Sequence, residues 1–130
     1  MTTTQAETEA TRALVAQMYD AILRGDFSSL LGLLADDLVV SEPSFLPYGG
    51  EYRGLEEFQV LIGKAVQHLD VAKIEVDRVV VDGDRAIAIL RIPNLANGEY
   101  TVIAEESLVR DGKVAAMRIY FHDTQGLHRP

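Results

Sequence analysis

The chain has 130 residues, 48% of them hydrophobic and 25% charged, with a formal net charge of −8 and an isoelectric point of about 4.7. That length suits one domain with a sizeable core, and the composition lacks the bias of a disordered segment. An acidic chain without a Lys/Arg cluster repels phosphate backbones, which excludes nucleic acid as a partner, and the absence of cysteine excludes disulfides, thiol catalysis and thiolate metal sites.

Residues 1–11 are rich in Thr and Glu and carry neither the basic start nor the apolar stretch of a signal peptide. No apolar run nears the roughly 20 residues of a membrane span, so the expectation is a cytoplasmic chain that does not engage a membrane. The whole of 1–130 reads as one domain, with 1–8 and 124–130 as flexible ends. Ala10, Leu14, Met18 and Ala21/Ile22 recur at helical spacing, which predicts a first helix over Ala6–Arg24. Gly25 stops it, and Asp26 caps a second, short and largely apolar helix from Phe27 to about Ala35. Leu38–Glu42 then reads as a short strand. Pro43–Gly50 is a loop with two prolines and a Gly-Gly pair, and Glu51–Arg53 is a further short strand. A third helix, from Leu55 to Leu69, buries Phe58, Leu61, Ile62, Ala65 and Val66.

Strands fill the rest. Ala72, Ile74 and Val76 alternate with charged residues, and the phase slips at Asp77-Arg78, as a β-bulge would make it do. Asp82-Gly83, Asn97-Gly98 and Asp111-Gly112 are three turn signals that join strands over Arg85–Ile92, Tyr100–Arg110 and Lys113–His122. Helices first and strands afterwards predict an α+β fold: three N-terminal helices packed on a strongly curved antiparallel sheet, a cone-shaped barrel with an apolar interior.

Several segments carry a family resemblance. They are Gly25-Asp26-Phe27 with Leu33-Leu34-Ala35-Asp36-Asp37, Leu46-Pro47-Tyr48-Gly49-Gly50 with Tyr52-Arg53-Gly54, and Val109-Arg110-Asp111-Gly112-Lys113-Val114 with Arg118-Ile119-Tyr120-Phe121. In their order over Ala10–Asp123 the chain resembles the NTF2-like superfamily, in particular its SnoaL-like and ketosteroid-isomerase-like members. The resemblance implies cofactor-free acid–base isomerisation or cyclisation of an apolar, oxygen-bearing small molecule, with no metal and with pairing into a homodimer. A non-catalytic ligand-binding or dimerisation module of the same fold is the alternative.

Glu42 precedes a proline five residues after Asp36-Asp37, where the resemblance implies a general base. A carboxylate facing an apolar cavity loses hydration and becomes a better base near neutral pH. The plainer reading is a solvated loop acid. On the Tyr100–Arg110 strand the two faces are equally apolar, so alternation does not choose between Glu105 and Glu106. Counting back from Asp111 in the manner of the isomerases favours Glu106 as the neutral acid that holds an oxyanion, against a surface ion pair.

Tyr19 is the corresponding hydroxyl donor on the first helix. It falls one residue out of register when aligned on Gly25-Asp26, a rotation of roughly 100°, and core packing is its other reading. The resemblance implies substrate contacts from Phe45 and Tyr48 in the loop, Phe58 in the third helix, and Met117, Ile119 and Phe121 in the last strand. Ile119 stands where SnoaL-like cyclases often carry an acid. The loop Ser44–Gly50 reads either as a lid or as a proline-stabilised turn. His68, His122 and His128 lack metal-site spacing, and His122 shares the outward face with Arg118 and Tyr120.

Overall fold

Two helices lead into the first strands. The structure, a computed structural model, describes residues 4–123. Helix α1 spans Thr4–Arg24 and α2 spans Phe27–Gly32, followed by strands β1 (Leu34–Glu42) and β2 (Gly50–Arg53) and helix α3 (Gly54–Ala65). A single 3₁₀ turn, Val71–Lys73, precedes β3 (Glu75–Asp82), β4 (Arg85–Pro93), β5 (Tyr100–Arg110) and β6 (Lys113–Phe121). Of the expected flexible ends, residues 124–130 lie outside the described residues. Residues 4–8 are the opening turns of α1, where the Thr8 hydroxyl accepts the Gly83 N–H at 2.8 Å.

The fold is α+β, with two long helices and one short one. The six strands lie in the order β2-β1-β6-β5-β4-β3. The meander β3–β6 is antiparallel, as its turns predict: Asp111 and Gly112 both take positive φ, the backbone of a tight two-residue hairpin. Strand β1, however, runs parallel to β6, so the sheet is not uniformly antiparallel. The phase slip at Asp77-Arg78 is a register shift against β4.

Three element boundaries differ from expectation, each because a tertiary partner outcompetes local propensity. Helix α2 ends at Gly32 rather than Ala35, since the Leu33 carbonyl takes the Val114 N–H at 3.0 Å and draws Leu34 and Ala35 into β1. Helix α3 ends at Ala65 instead of Leu69, since Leu69 bridges Asn94 and the His68 carbonyl takes the Leu95 N–H at 2.9 Å. Residues from Val71 form a 3₁₀ turn rather than a strand, because the Asp70 N–H bonds the Pro93 carbonyl and the chain then turns on itself through Lys73 N–H to Asp70. Ala72 and Val76 are accordingly exposed.

The sheet curves around α1 and α3. Leu38 and Val40 of β1, Ala86, Ala88, Leu90 and Ile92 of β4, and Met18, Phe58 and Leu61 of the helices form its core. On α1 the buried face is Thr11, Val15, Met18 and Tyr19, while Ala10 is exposed. That rotation carries Tyr19 inward. Among the described residues no helix is long and apolar enough to cross a membrane.

Candidate functional site

The helices do not fill the concave side of the sheet. A cavity of about 220 Å³ remains there, lined by Leu30, Phe58, Leu61, Met117, Ile119 and their apolar neighbours, with four polar side chains: Tyr19, Glu42, Tyr48 and Glu105. Glu42 reaches it because Leu38, Val40 and Glu42 alternate inward along β1. It is partly buried and lines the cavity, and its Oε1 finds no hydrogen-bond partner among the described residues. Burial first, and the charge of Glu105 second, push its pKa from 4.5 up to about 8.

Across the cavity Glu105 occupies the place expected of Glu106. The Tyr19 hydroxyl donates to Glu105 Oε1 at 2.6 Å. Burial raises the Glu105 pKa, and the Tyr19 hydrogen bond opposes that rise by favouring the anion. Tyr19 itself is raised well above its ordinary value, by burial and then by Glu105. Glu106 points outward, paired with Arg85 at 2.9 Å and accepting the Tyr120 hydroxyl at 3.2 Å.

The reason for this exchange is a bulge. Arg110 pairs with Lys113 and Val109 with Val114, but Leu108 then pairs with Ala116, leaving Ala115 as the extra residue. An unbulged hairpin would set Glu106 opposite inward-facing Met117. The slip sets Glu106 opposite Arg118 and Glu105 opposite Ile119. The sequence sign of this bulge was Val114-Ala115, two consecutive apolar residues that are both buried.

Tyr48 lies in the loop after β1, only 2% exposed, and its hydroxyl is the other buried polar atom without a partner among the described residues. Burial, then Glu42, raises its pKa. His68 packs on the outside of its ring at 5.6 Å between centroids. The loop is a packed turn rather than a lid. Leu46 N–H bonds Pro43 O, Gly49 N–H bonds Leu46 O, and a Cβ on Gly49 would run into the Pro43 carbonyl. Within it Leu46 is buried while Phe45 is 45% exposed. Phe45 is therefore not on the cavity wall, whereas Tyr48, Phe58, Met117, Ile119 and Phe121 are.

Phe27, expected at the start of a helix and in the Gly25-Asp26-Phe27 segment but not at the site, stacks on Phe58 at 6.4 Å and also lines the cavity. His122 is exposed, and His128 lies outside the described residues. Among the described residues no three His, Cys, Asp or Glu side chains gather as a metal would need. In chemical terms the site is a largely apolar hollow with two carboxyls whose charged forms are disfavoured and two phenol hydroxyls.

Comparison with known proteins bears on the fold. A family model described as a SnoaL-like domain matches residues 15–123. None of the curated proteins compared matches the chain. Among solved structures, an NTF2-like protein from Burkholderia xenovorans LB400 is 24% identical, with 92% of this chain and 94% of that one covered at a TM-score of 0.75. Bal32a, from a soil-derived mobile gene cassette, is 22% identical, with coverage of 90% and 92% and a TM-score of 0.79. A candidate ketosteroid isomerase from Kribbella flavida DSM 17836 is 21% identical, with coverage of 90% and 81% and a TM-score of 0.73. Several other matched structures are described as of unknown function, and similarity at this level speaks for the NTF2-like fold alone.

Proposed function

The chain belongs to the SnoaL-like domain family, and from that premise we propose that it is a cofactor-free acid–base enzyme that isomerises or cyclises an apolar, oxygen-bearing small molecule. The observation that carries this reading is Glu42: a carboxyl on the wall of an apolar cavity, whose Oε1 has no hydrogen-bond partner among the described residues and whose pKa is pushed up to about 8. At pH 7 about one molecule in ten carries it ionised, and that fraction is a strong base because its anion is poorly solvated. A group that takes a proton from one carbon and returns it to another passes through both states, so a pKa near neutrality serves it well.

Charge developing on a carbonyl oxygen of the substrate meets the Tyr48 hydroxyl, which has no other partner among the described residues. Glu105 supplies a second donor. Burial favours its protonated form, and Tyr19 occupies one of its oxygens, leaving its own O–H to point at the substrate. The apolar lining takes the rest of the molecule. One observation favours the non-catalytic module instead: the cavity wall holds Ile119 at the position where SnoaL-like cyclases often carry an acid.

Exchange of the α-protons of 3-methylcyclohex-2-enone into D₂O, followed by NMR, separates the two readings. The enzyme reading expects accelerated exchange that drops about 10²–10⁴-fold in Glu42→Gln. A variant as fast as the wild type would refute the base assignment, and enone binding without exchange would favour the module.

We also infer a homodimer formed through the outer sheet face, where Val80 (56% exposed), Ile87 (42%) and Tyr120 (49%) stand free of the core. Val80 and Ile87 face each other across β3 and β4, so the apolar surface is continuous. Sedimentation should give a dimer that Ile87→Lys converts to a monomer. A wild type that sediments as a monomer at high concentration sinks this inference.

A further inference from the structure

We propose that the cavity also captures lipophilic primary amines as ammonium ions, with Glu42, Tyr48 and the carbonyl oxygen of Glu105, which keeps a lone pair beside the Tyr19 hydrogen bond, as the acceptors of their three N–H groups. This goes beyond the acid–base reading. It rests on the cavity alone and needs no proton transfer to a substrate.

The lining is chemically one-sided. Among the described residues its titratable members are Glu42, Glu105, Tyr19 and Tyr48, with no Lys, Arg or His. Glu42 Oε1 and the Tyr48 hydroxyl are both buried and both unpartnered among the described residues. An alkylammonium brings three donors and no acceptor, which matches two orphaned oxygens and a second carboxyl. The rings of Tyr19, Tyr48, Phe58 and Phe121 line the same space and favour a cation over an anion. An anionic ligand would meet two acids with no counter-charge.

Buried ion pairs commonly gain little, because both ions leave water when they form. Here one ion is already out of water: Glu42 is desolvated when the protein folds, and only the ligand is dehydrated on binding. The displacement of Glu42 from 4.5 to about 8 comes from burial first and the like charge of Glu105 second, both of which a bound cation offsets. A cation that restored its ordinary value would bind up to about 10³-fold tighter than a neutral ligand of the same shape above pH 8.

The same argument fixes a pH signature. Below about pH 8 an arriving ammonium expels the Glu42 proton, so affinity rises about tenfold per pH unit, levels off, and falls once the amine itself loses its charge near pH 10.4 or so. The groups facing Glu42 are Glu105 from β5, Tyr19 from α1 and Tyr48 from the loop. Among the described residues α2, α3, β4 and β6 contribute apolar side chains to the cavity, and the His68 ring, which is not on its wall, lies 5.6 Å from that of Tyr48.

Isothermal titration with cyclohexylmethylamine, cyclohexylmethanol and cyclohexanecarboxylate tests this, at pH about 6.5 and about 8.5, each in two buffers of different ionisation enthalpy. The amine should bind at least about tenfold tighter than the alcohol at the higher pH and release about one proton at the lower, with no binding of the carboxylate. Glu42→Gln should abolish both the release and the preference. An amine that fails to bind, binds no better than the alcohol, or binds without releasing a proton overturns the proposal. If Glu42→Gln does not fold, proton release by the wild type decides alone. A loss of enone exchange in the wild type would leave this result untouched, so the two readings fail separately.

Discussion

Replacing Glu42 by Gln is expected to stabilise the fold at alkaline pH while abolishing proton transfer. Gln has the shape of a protonated Glu side chain, so packing around the cavity is retained. The carboxyl has an ordinary pKa of 4.5 in the unfolded chain and about 8 in the native one, because burial and the charge of Glu105 disfavour its anion. The native state therefore binds this proton more tightly. The stability it contributes is fully present below about 4.5 and is lost as pH rises through about 8.

At about 1.4 kcal/mol per unit, the loss amounts to about 5 kcal/mol as an upper bound, a large part of the stability of a small domain. Gln does not titrate and loses none of it. Urea unfolding followed by circular dichroism at pH about 5, 7 and 9 should show near-equal stabilities at the acid end and an advantage of several kcal/mol for the variant at the alkaline end. Parallel curves for the two proteins across that range would refute the reasoning, because Glu42 would then titrate as a solvated acid. A variant that gains stability as it loses activity is the mark of a group held in an unfavourable state for function.

Tyr48→Phe removes a buried hydroxyl that has no partner among the described residues, so the unliganded protein should keep its stability or gain about 1–2 kcal/mol in thermal unfolding. Enone exchange should fall with it, and a clear loss of stability would mean the hydroxyl is satisfied in solution. Glu105→Gln and Glu106→Gln form a matched pair on adjacent residues. The first should slow exchange by about 10²-fold or more. The second should leave exchange unchanged and cost less than about 1 kcal/mol, since it breaks only a partly exposed ion pair with Arg85. Equal effects of the two substitutions would overturn the assignment of the inward face.

Much of the fold was legible in the chain because local rules and the tertiary structure agree. Gly25 with Asp26 does end one helix and cap the next, the Asp26 side chain taking the Ser29 N–H at 3.1 Å. The Asp82-Gly83 and Asp111-Gly112 turns join the strands they predict, and the Asp77-Arg78 slip is a real register shift. Period-two alternation and turn chemistry are properties of a few consecutive residues, and they determined the α+β class and the β3–β6 meander, whereas the cavity positions of Glu42, Met117, Ile119 and Phe121 were implied by the family resemblance.

What remained was decided by partners far apart in the chain. Strand β1 claims Leu34 and Ala35 from α2 because Val114 offers a hydrogen bond there. Tyr19 faces inward, with Glu105 as its partner 86 residues away. Phe45 turns outward because its loop packs through Leu46 and Tyr48 instead. The choice between Glu105 and Glu106 rests on a single extra residue, Ala115, that shifts the register of a hairpin by one. In a sheet whose side chains alternate, one residue of slip exchanges the two faces, and no pattern within β5 itself records it.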